Sequence, residues 1–292
     1  MRVLHRLRLG RWPYPDRVTT AARRGAAFFD LDKTVIARSS TLAFSRPFYD
    51  SGLITRRAML RSAYAHFFYQ ASGADHDQME RMRRYLSQLC AGWDVRQVRD
   101  IVAETLAQLI APVVYREATA LISEHHAAGR DVVIVSASGT EVVEPIGEML
   151  DADHVVATRM VVEDGRYTGD IAFYAYGENK AVAMREMAAA HGYDLEECFA
   201  YTDSATDLPM LRAVGHPVAV NPDKVLRREA ARQGWPVLDF THPVSLRSRF
   251  PAAPSRQSVA AGSAFAVALG AGAAATAGLR WYANRRREQS TS

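Results

Sequence analysis

Apolar positions in this chain fall into two rhythms. In the first, a short unbroken run stops abruptly on polar residues. Residues 26–29 (AAFF) end at Asp30, residues 132–135 (VVIV) end at Ser136, and residues 198–201 (CFAY) lead into Asp203 and Asp207. Runs of roughly four to eight apolar residues with polar borders read as buried strands. The lack of alternation suits a parallel sheet covered on both faces. Further strands are expected over 154–158 and in the PVAV and PVLDF stretches, with a hairpin turning at Asp164-Gly165.

The second rhythm is helical. It covers about 114–128, closed by Gly129, then EVVEPIGEML, GENKAVAMREMAAAHG and NPDKVLRREAARQG. Glycine after a helix is its usual stop. Strands alternating with helices from about residue 114 to Phe240 predict an α/β fold built on an open parallel sheet. Residues 38–112 break this alternation. They carry helical stretches, ITRRAMLRSAYAHFFYQ and HDQMERMRRYLSQLC, punctuated by Gly73 and Gly92. An insert of three or four helices is expected there. Tyr64, Phe67, Phe68 and Tyr69 read as its packing residues, and Arg81, Arg83 and Arg84 as a solvated face.

Charge changes the picture at the ends. The chain is 292 residues long with a net charge of +4, but residues 1–25 and 243–292 each hold seven arginines against one acidic residue. The body, 26–242, is therefore acidic, at about −8. This excludes a nucleic-acid stripe on the folded body. Residues 1–25 contain no apolar run of the length a secretory signal needs and read as a disordered basic tail. Cys90 and Cys198 stand far apart in apolar contexts, with no metal-ligand spacing and no disulfide framework, which fits a reducing cytoplasmic setting.

The segment after the body has another character. A Pro-containing linker over 243–257 precedes residues 258–279, a stretch rich in Ala and Gly that holds no charge. About twenty apolar residues suffice to cross a bilayer. A C-terminal transmembrane helix is expected there, with Trp281 and Tyr282 at the interface and a basic tail over 280–292. This reading makes the membrane a partner and tethers a cytoplasmic catalytic body to it.

The candidate chemistry lies at the ends of the strands. Ligands of open parallel sheets bind beyond the carboxyl ends of the strands. Asp30 and Asp32 would stand there and repel each other, a cost that a divalent cation removes. Mg²⁺ takes one or two carboxylates with phosphate and water. Ser136 precedes a helix start, where backbone N–H groups and the helix dipole favour an anion. Lys180 falls in the first turn of a helix, where a cation is disfavoured. It is therefore either exposed or beside an anion.

The ordered set Asp30/Asp32/Thr34, Ser136, Lys180 and Asp203/Asp207 resembles the four motifs of haloacid dehalogenase-like hydrolases. It is most similar to the phosphoserine phosphatase-like branch, whose helical cap lies between the first and second motifs. The resemblance spans about 26–240. It implies a Rossmann-like core over 26–37 and 113–242 and a helical cap over 38–112. It also implies a Mg²⁺-dependent phosphomonoesterase acting on a small phosphorylated substrate. By the same resemblance Asp30 is the nucleophile and Asp32 the general acid and base. Thr34, Ser136 and Lys180 hold the phosphoryl group. Asp30 and Asp203 supply carboxylate ligands to the metal and Asp32 its main-chain carbonyl, with Asp207 ligating or orienting from behind.

The sequence departs from that branch in three places. The fourth motif reads Thr202-Asp203-Ser204-Ala205-Thr206-Asp207 where GDGxND is usual. The second continues Ser136-Ala137-Ser138-Gly139 where Ser-Gly-Gly is usual. Ser39 stands about where an acidic residue reads the ammonium of phosphoserine. Phosphoserine is the substrate the branch implies. A phospholipid or lipid-precursor phosphate is the alternative that a membrane span would favour, and an interaction protein on a degenerate hydrolase scaffold is the non-enzymatic one.

Overall fold

The computed structural model describes residues 25–55, 84 and 87–244. Its first strand, β1 (Ala26–Asp30), is buried along its whole length. Two short helices follow, α1 (Ser40–Ala43) and α2 (Ser45–Asp50). Then come α3 (Val95–Leu109), the two-residue strand β2 (Val114–Tyr115) and α4 (Arg116–Ala127). The chain continues through β3 (Asp131–Gly139), α5 (Thr140–Met149), β4 (His154–Glu163), β5 (Arg166–Phe173) and α6 (Glu178–His191). It closes with β6 (Phe199–Thr202), α7 (Leu208–Arg212), β7 (His216–Val220), α8 (Lys224–Gln233), β8 (Val237–Leu238) and β9 (Pro243–Val244).

Seven strands form one sheet in the order β5-β4-β3-β1-β6-β7-β8. Every neighbouring pair is parallel except β4 with β5, which form an antiparallel hairpin at one edge. The expected parallel α/β architecture is thus observed. The chain fills one side of β1 with β3, β4 and β5, then crosses to the other with β6, β7 and β8. That reversal at β1 is a switch point, where two strand ends diverge and leave a crevice.

The absence of polar alternation in the strands has its reason in the packing. Ala27 and Phe29 face a core shared with Ile134, Tyr201, Leu121, Val143 and Val102. Ala26 and Phe28 face the opposite core, with Val133, Ala200, Met184, Met210 and Leu226. Both faces of β1 are covered, so each successive side chain must be apolar. The ring of Phe29 stacks on Tyr201 of β6 with centroids 4.4 Å apart, pinning the two central strands together.

Some expectations need correction. The helix expected over 114–128 begins only at Arg116, because Val114–Tyr115 pairs antiparallel with Pro243–Val244. For the same reason the linker placed over 243–257 starts inside a strand. Strands expected over 132–135 and 154–158 run on to Gly139 and Glu163. Of the helical insert, the described residues include α1, α2, α3 and helical residues at 84 and 87–89. Tyr64, Phe67, Phe68, Tyr69, Arg81 and Arg83 lie outside the described residues, as do the tail at 1–24, the proposed span at 258–279 and the basic tail after it. Among the described residues no helix is long and apolar enough to cross a membrane.

Candidate active site

Asp30 is the last residue of β1. Beyond it the chain turns back at once, with the N–H groups of Val35 and Ile36 donating to the Leu31 carbonyl at 2.9 and 3.1 Å. Lys33 takes a left-handed φ of 64° to make this turn. The loop carries Asp32 to the start of α1, where the Ser40 N–H donates to Asp32 Oδ1 at 2.8 Å. Thr34 is buried inside the same turn, 1% exposed.

Ser136 lies in β3, beside β1, and is 2% exposed. The pairing of β3 with β4 slips between Ser136 and Gly139, releasing Ala137 and Ser138 from the ladder. The Ser138 N–H donates to Ser136 Oγ at 3.2 Å. On the other side of β1, β6 ends at Thr202, and a short turn over Ala205–Asp207 follows. Asp223, the cap of α8, fastens that turn. Its N–H donates to the Asp203 carbonyl at 2.8 Å, and its Oδ2 accepts the Ala205 N–H at 2.9 Å.

Lys180 joins these strand ends. Its Nζ donates to Asp30 Oδ1 at 2.6 Å and to Asp207 Oδ2 at 2.7 Å, and it is 3% exposed. Thr202 Oγ1 donates to the same Asp207 oxygen at 2.8 Å. The cation in the first turn of α6 is therefore beside anions, not in solvent. Burial opposes its charge, but Asp207 and Asp30 together hold the ammonium above the ordinary lysine pKa.

The carboxylates show the converse. Burial pushes Asp30 up to about 7 against the pull of Lys180, with Asp207 and Asp32 adding repulsion. Burial and the charge of Asp30 push Asp203 up to about 8. Burial also raises Asp32, against the pull of the Ser40 N–H. Asp30 and Asp203 thus disfavour each other's ionised forms, as two carboxylates sharing one space do.

Two buried atoms have no hydrogen-bond partner among the described residues at this site, Thr34 Oγ1 and Asp207 Oδ1. Leaving such an atom unpaired costs about 1–3 kcal/mol, so its presence points to a ligand. Among the described residues no group of three or more His, Cys, Asp and Glu forms a metal cage. The donor set on offer is smaller: Asp30 and Asp203, two mutually repelling carboxylates. That set fits Mg²⁺, which keeps several waters and rarely takes an all-protein cage.

All seven residues singled out from sequence stand on β1, β3, β6, α6 or the turns beside them. Asp30, Lys180 and Asp207 are in direct contact. Asp203 reaches Asp30 through its charge, and Asp32 and Ser136 line the turns on either side. Asp207, expected to ligate the metal or orient the site from behind, gives Oδ2 to Lys180 and Thr202, while its Oδ1 has no partner among the described residues. Sequence reasoning missed Ser40, Thr202, Ser138 and Asp223 as members of the site. Asp223 alone left a signal, as the Asp before a helical pattern, and that signal reports a helix cap and no more.

Comparison with known proteins agrees with this geometry. Residues 27–212 match the haloacid dehalogenase-like hydrolase family. A Streptomyces azureus protein named for inhibition of morphological differentiation is 66% identical over 90% of this chain and 95% of its own length. A Mycobacterium tuberculosis protein named "Probable phosphatase" is 60% identical over 91% and 92%. A phosphoserine phosphatase of the same organism is 32% identical over 77% and 74%. Among solved structures, a Bordetella pertussis protein of unknown function superposes with a TM-score of 0.66 at 28% identity, covering 75% of this chain and 99% of that one.

Proposed function

Since the chain belongs to the haloacid dehalogenase-like hydrolases, we propose that it is a Mg²⁺-dependent phosphomonoesterase working through an aspartyl-phosphate. The observation that carries this reading is the Lys180 ammonium held between Asp30 and Asp207 at 2.6 and 2.7 Å. It gathers the ends of two strands and a helix start around one buried carboxylate. A degenerate binding scaffold gains nothing from burying that charge.

Lys180 engages Asp30 Oδ1, which leaves Oδ2 to attack phosphorus in line. As the ester P–O bond breaks, Asp32 gives its proton to the departing alkoxide. Burial raises its pKa, the direction that favours the protonated form this step needs. Asp32 then takes a proton from water, the water attacks phosphorus, and the Asp30 carboxylate is released with inorganic phosphate. Thr34 Oγ1 and Ser136 Oγ donate to the phosphoryl oxygens, and the Lys180 charge offsets theirs. Asp30, Asp203 and the Asp32 carbonyl would hold Mg²⁺, with Asp207 orienting the set. When bound, the ion supplies charge neutralisation worth several kcal/mol.

The substrate class is a small phosphorylated metabolite, and phosphoserine is the first to test. The support is the similarity to a protein named phosphoserine phosphatase. Ser39, where an acidic residue would read the ammonium, weighs against it. The test is phosphate release from a panel of monoesters, with and without Mg²⁺, by wild type and Asp30→Asn. Wild type is expected to turn over at least one monoester and the variant none at a measurable rate. Full hydrolysis by Asp30→Asn would remove the assignment from this site.

A further inference from the structure

We infer that Ser40 and Ser138 are positioning residues for Asp32, acting through a hydroxyl bridge between the first turn of the cap and the phosphate-binding strand. The inference rests on the functional reading above. Ser40 Oγ and Ser138 Oγ lie 2.8 Å apart, and Thr41 Oγ1 lies 3.0 Å from the same Ser138 oxygen. Ser40 is fully buried and Ser138 is 8% exposed, so the bridge is largely shielded from solvent. Each serine also holds a residue of the reaction by its main chain. The Ser40 N–H binds Asp32 Oδ1 at 2.8 Å, and the Ser138 N–H binds Ser136 Oγ at 3.2 Å.

Helix α1 is four residues long, and the Ser39 side chain does not cap it. A helix that short has no stability of its own. Where its first N–H points is decided by what its side chains grip, and Ser40 grips Ser138. Ser138 is also one of the departures from the usual second motif, where glycine has no hydroxyl to offer. The bridge therefore ties the Asp32 carboxyl, the proton donor, to the loop that seats the phosphoryl group. Removing it lets Asp32 swing while Asp30, Lys180 and the carbonyl of Asp32 stay in place.

A misplaced acid slows esters in proportion to how much their leaving group needs a proton. Properly placed general acids contribute about 10²- to 10⁴-fold. The experiment compares kcat/KM, which reads the steps up to departure of the alcohol and so leaves out the later action of Asp32 on water, for p-nitrophenyl phosphate, whose leaving group needs little protonation, phenyl phosphate and an alkyl phosphate. Wild type, Ser138→Ala, Ser40→Ala and the double variant are measured with Mg²⁺, with melting curves for each. Each single variant is expected to lose about tenfold on the alkyl ester and less than about twofold on p-nitrophenyl phosphate. The double variant is expected to lose no more than Ser138→Ala alone, because the two act as one unit. Equal losses on all esters, additive losses in the double variant, or no loss would each overturn the inference. Should Ser138→Ala not fold, Ser40→Ala tests the same bridge from its other end. Failure of the functional reading looks different: wild type would hydrolyse none of the esters, or Asp30→Asn would hydrolyse them all.

Discussion

Lys180 and His125 are both buried, and the groups around each select opposite charge states. Lys180 has two carboxylates and stays charged. Replacing it with methionine strands Asp30 and Asp207 without a counter-charge. Loss of one partner from a buried pair costs about 3–5 kcal/mol, so Lys180→Met is expected to lower the urea midpoint and to abolish turnover. His125 is fully buried beneath β1 and β6. Arg130 Nε donates to its Nδ1 at 2.8 Å, and its Nε2 faces the Tyr201 hydroxyl at 2.8 Å. A proton on Nδ1 would confront the Arg130 N–H. Burial, then Arg130, pushes the imidazole pKa from 6.5 down to about 3. The unfolded chain therefore takes a proton below 6.5 that the fold refuses. His125 contributes its full stability above that pH and loses it as pH falls toward 3. Asp30 and Asp203, with raised pKa values, act in the opposite direction, so the informative measurement is a difference. The stability gap between wild type and His125→Gln is expected to shrink by about 1.4 kcal/mol between pH 8 and pH 5.5. A constant gap would mean the imidazole is protonated in the fold. These pairings were not legible in the sequence: the partners of Lys180 lie 150 and 27 residues away, and those of His125 include a residue 76 away.

At the scale of elements, the β4–β5 hairpin does more than edge the sheet. Its Asp164-Gly165 turn has φ values of 48° and 76°, the left-handed pair that a tight hairpin requires. The strands grip the chain just before α3. Gly92 N–H donates to the Tyr167 carbonyl at 2.8 Å, Tyr167 N–H to the Trp93 carbonyl at 3.1 Å, and Val95 N–H to the Gly165 carbonyl at 3.0 Å. Gly169 eases that approach, with φ of 96° and little room beside it, since a Cβ would lie a tight 3.1 Å from that of Ala91. Gly169→Val is expected to cost about 1–3 kcal/mol and to speed hydrogen exchange at Gly92 and Val95. Unchanged exchange there would show that the hairpin does not hold the segment leading into α3. The hairpin turn was legible because Asp-Gly has a local cause. Its grip on residues 92–95 was not, because backbone pairing leaves no mark on side-chain identity. The pairing of Val114–Tyr115 with Pro243–Val244 was missed for the same reason. Two residues are too few to show a period.

At the scale of the molecule, the order of strands brings the acidic residues together. β1 sits between β3 and β6, so Asp30 lies beside Ser136 on one side and the Asp203 turn on the other. Without a cation this concentration of carboxylates is held by Lys180 and by protons. Chelation of divalent cations is expected to stop phosphate release while leaving the far-UV circular dichroism unchanged. On the proposed assignment, protons would compete with the cation for Asp203 and Asp30, raised to about 8 and 7. The Mg²⁺ concentration for half-maximal rate is therefore expected to rise as pH falls from 8 to 6. A pH-independent requirement would argue that neither carboxylate faces the metal.

The sequence by itself determined the buried strands, the helices between them and the seven chemistry-bearing residues at their ends. Each of these depends on local patterning, on which side chains can be buried and where polar ones must begin. Only the tertiary structure decided which strands are neighbours, that Lys180 bridges Asp30 and Asp207, that Ser40 and Ser138 link Asp32 to Ser136, and that Asp223 fastens the Asp203 turn. Those relations form between segments far apart in the chain. Each is made by a hydrogen bond whose donor and acceptor look, in sequence, like any other serine or aspartate at the end of a strand or helix.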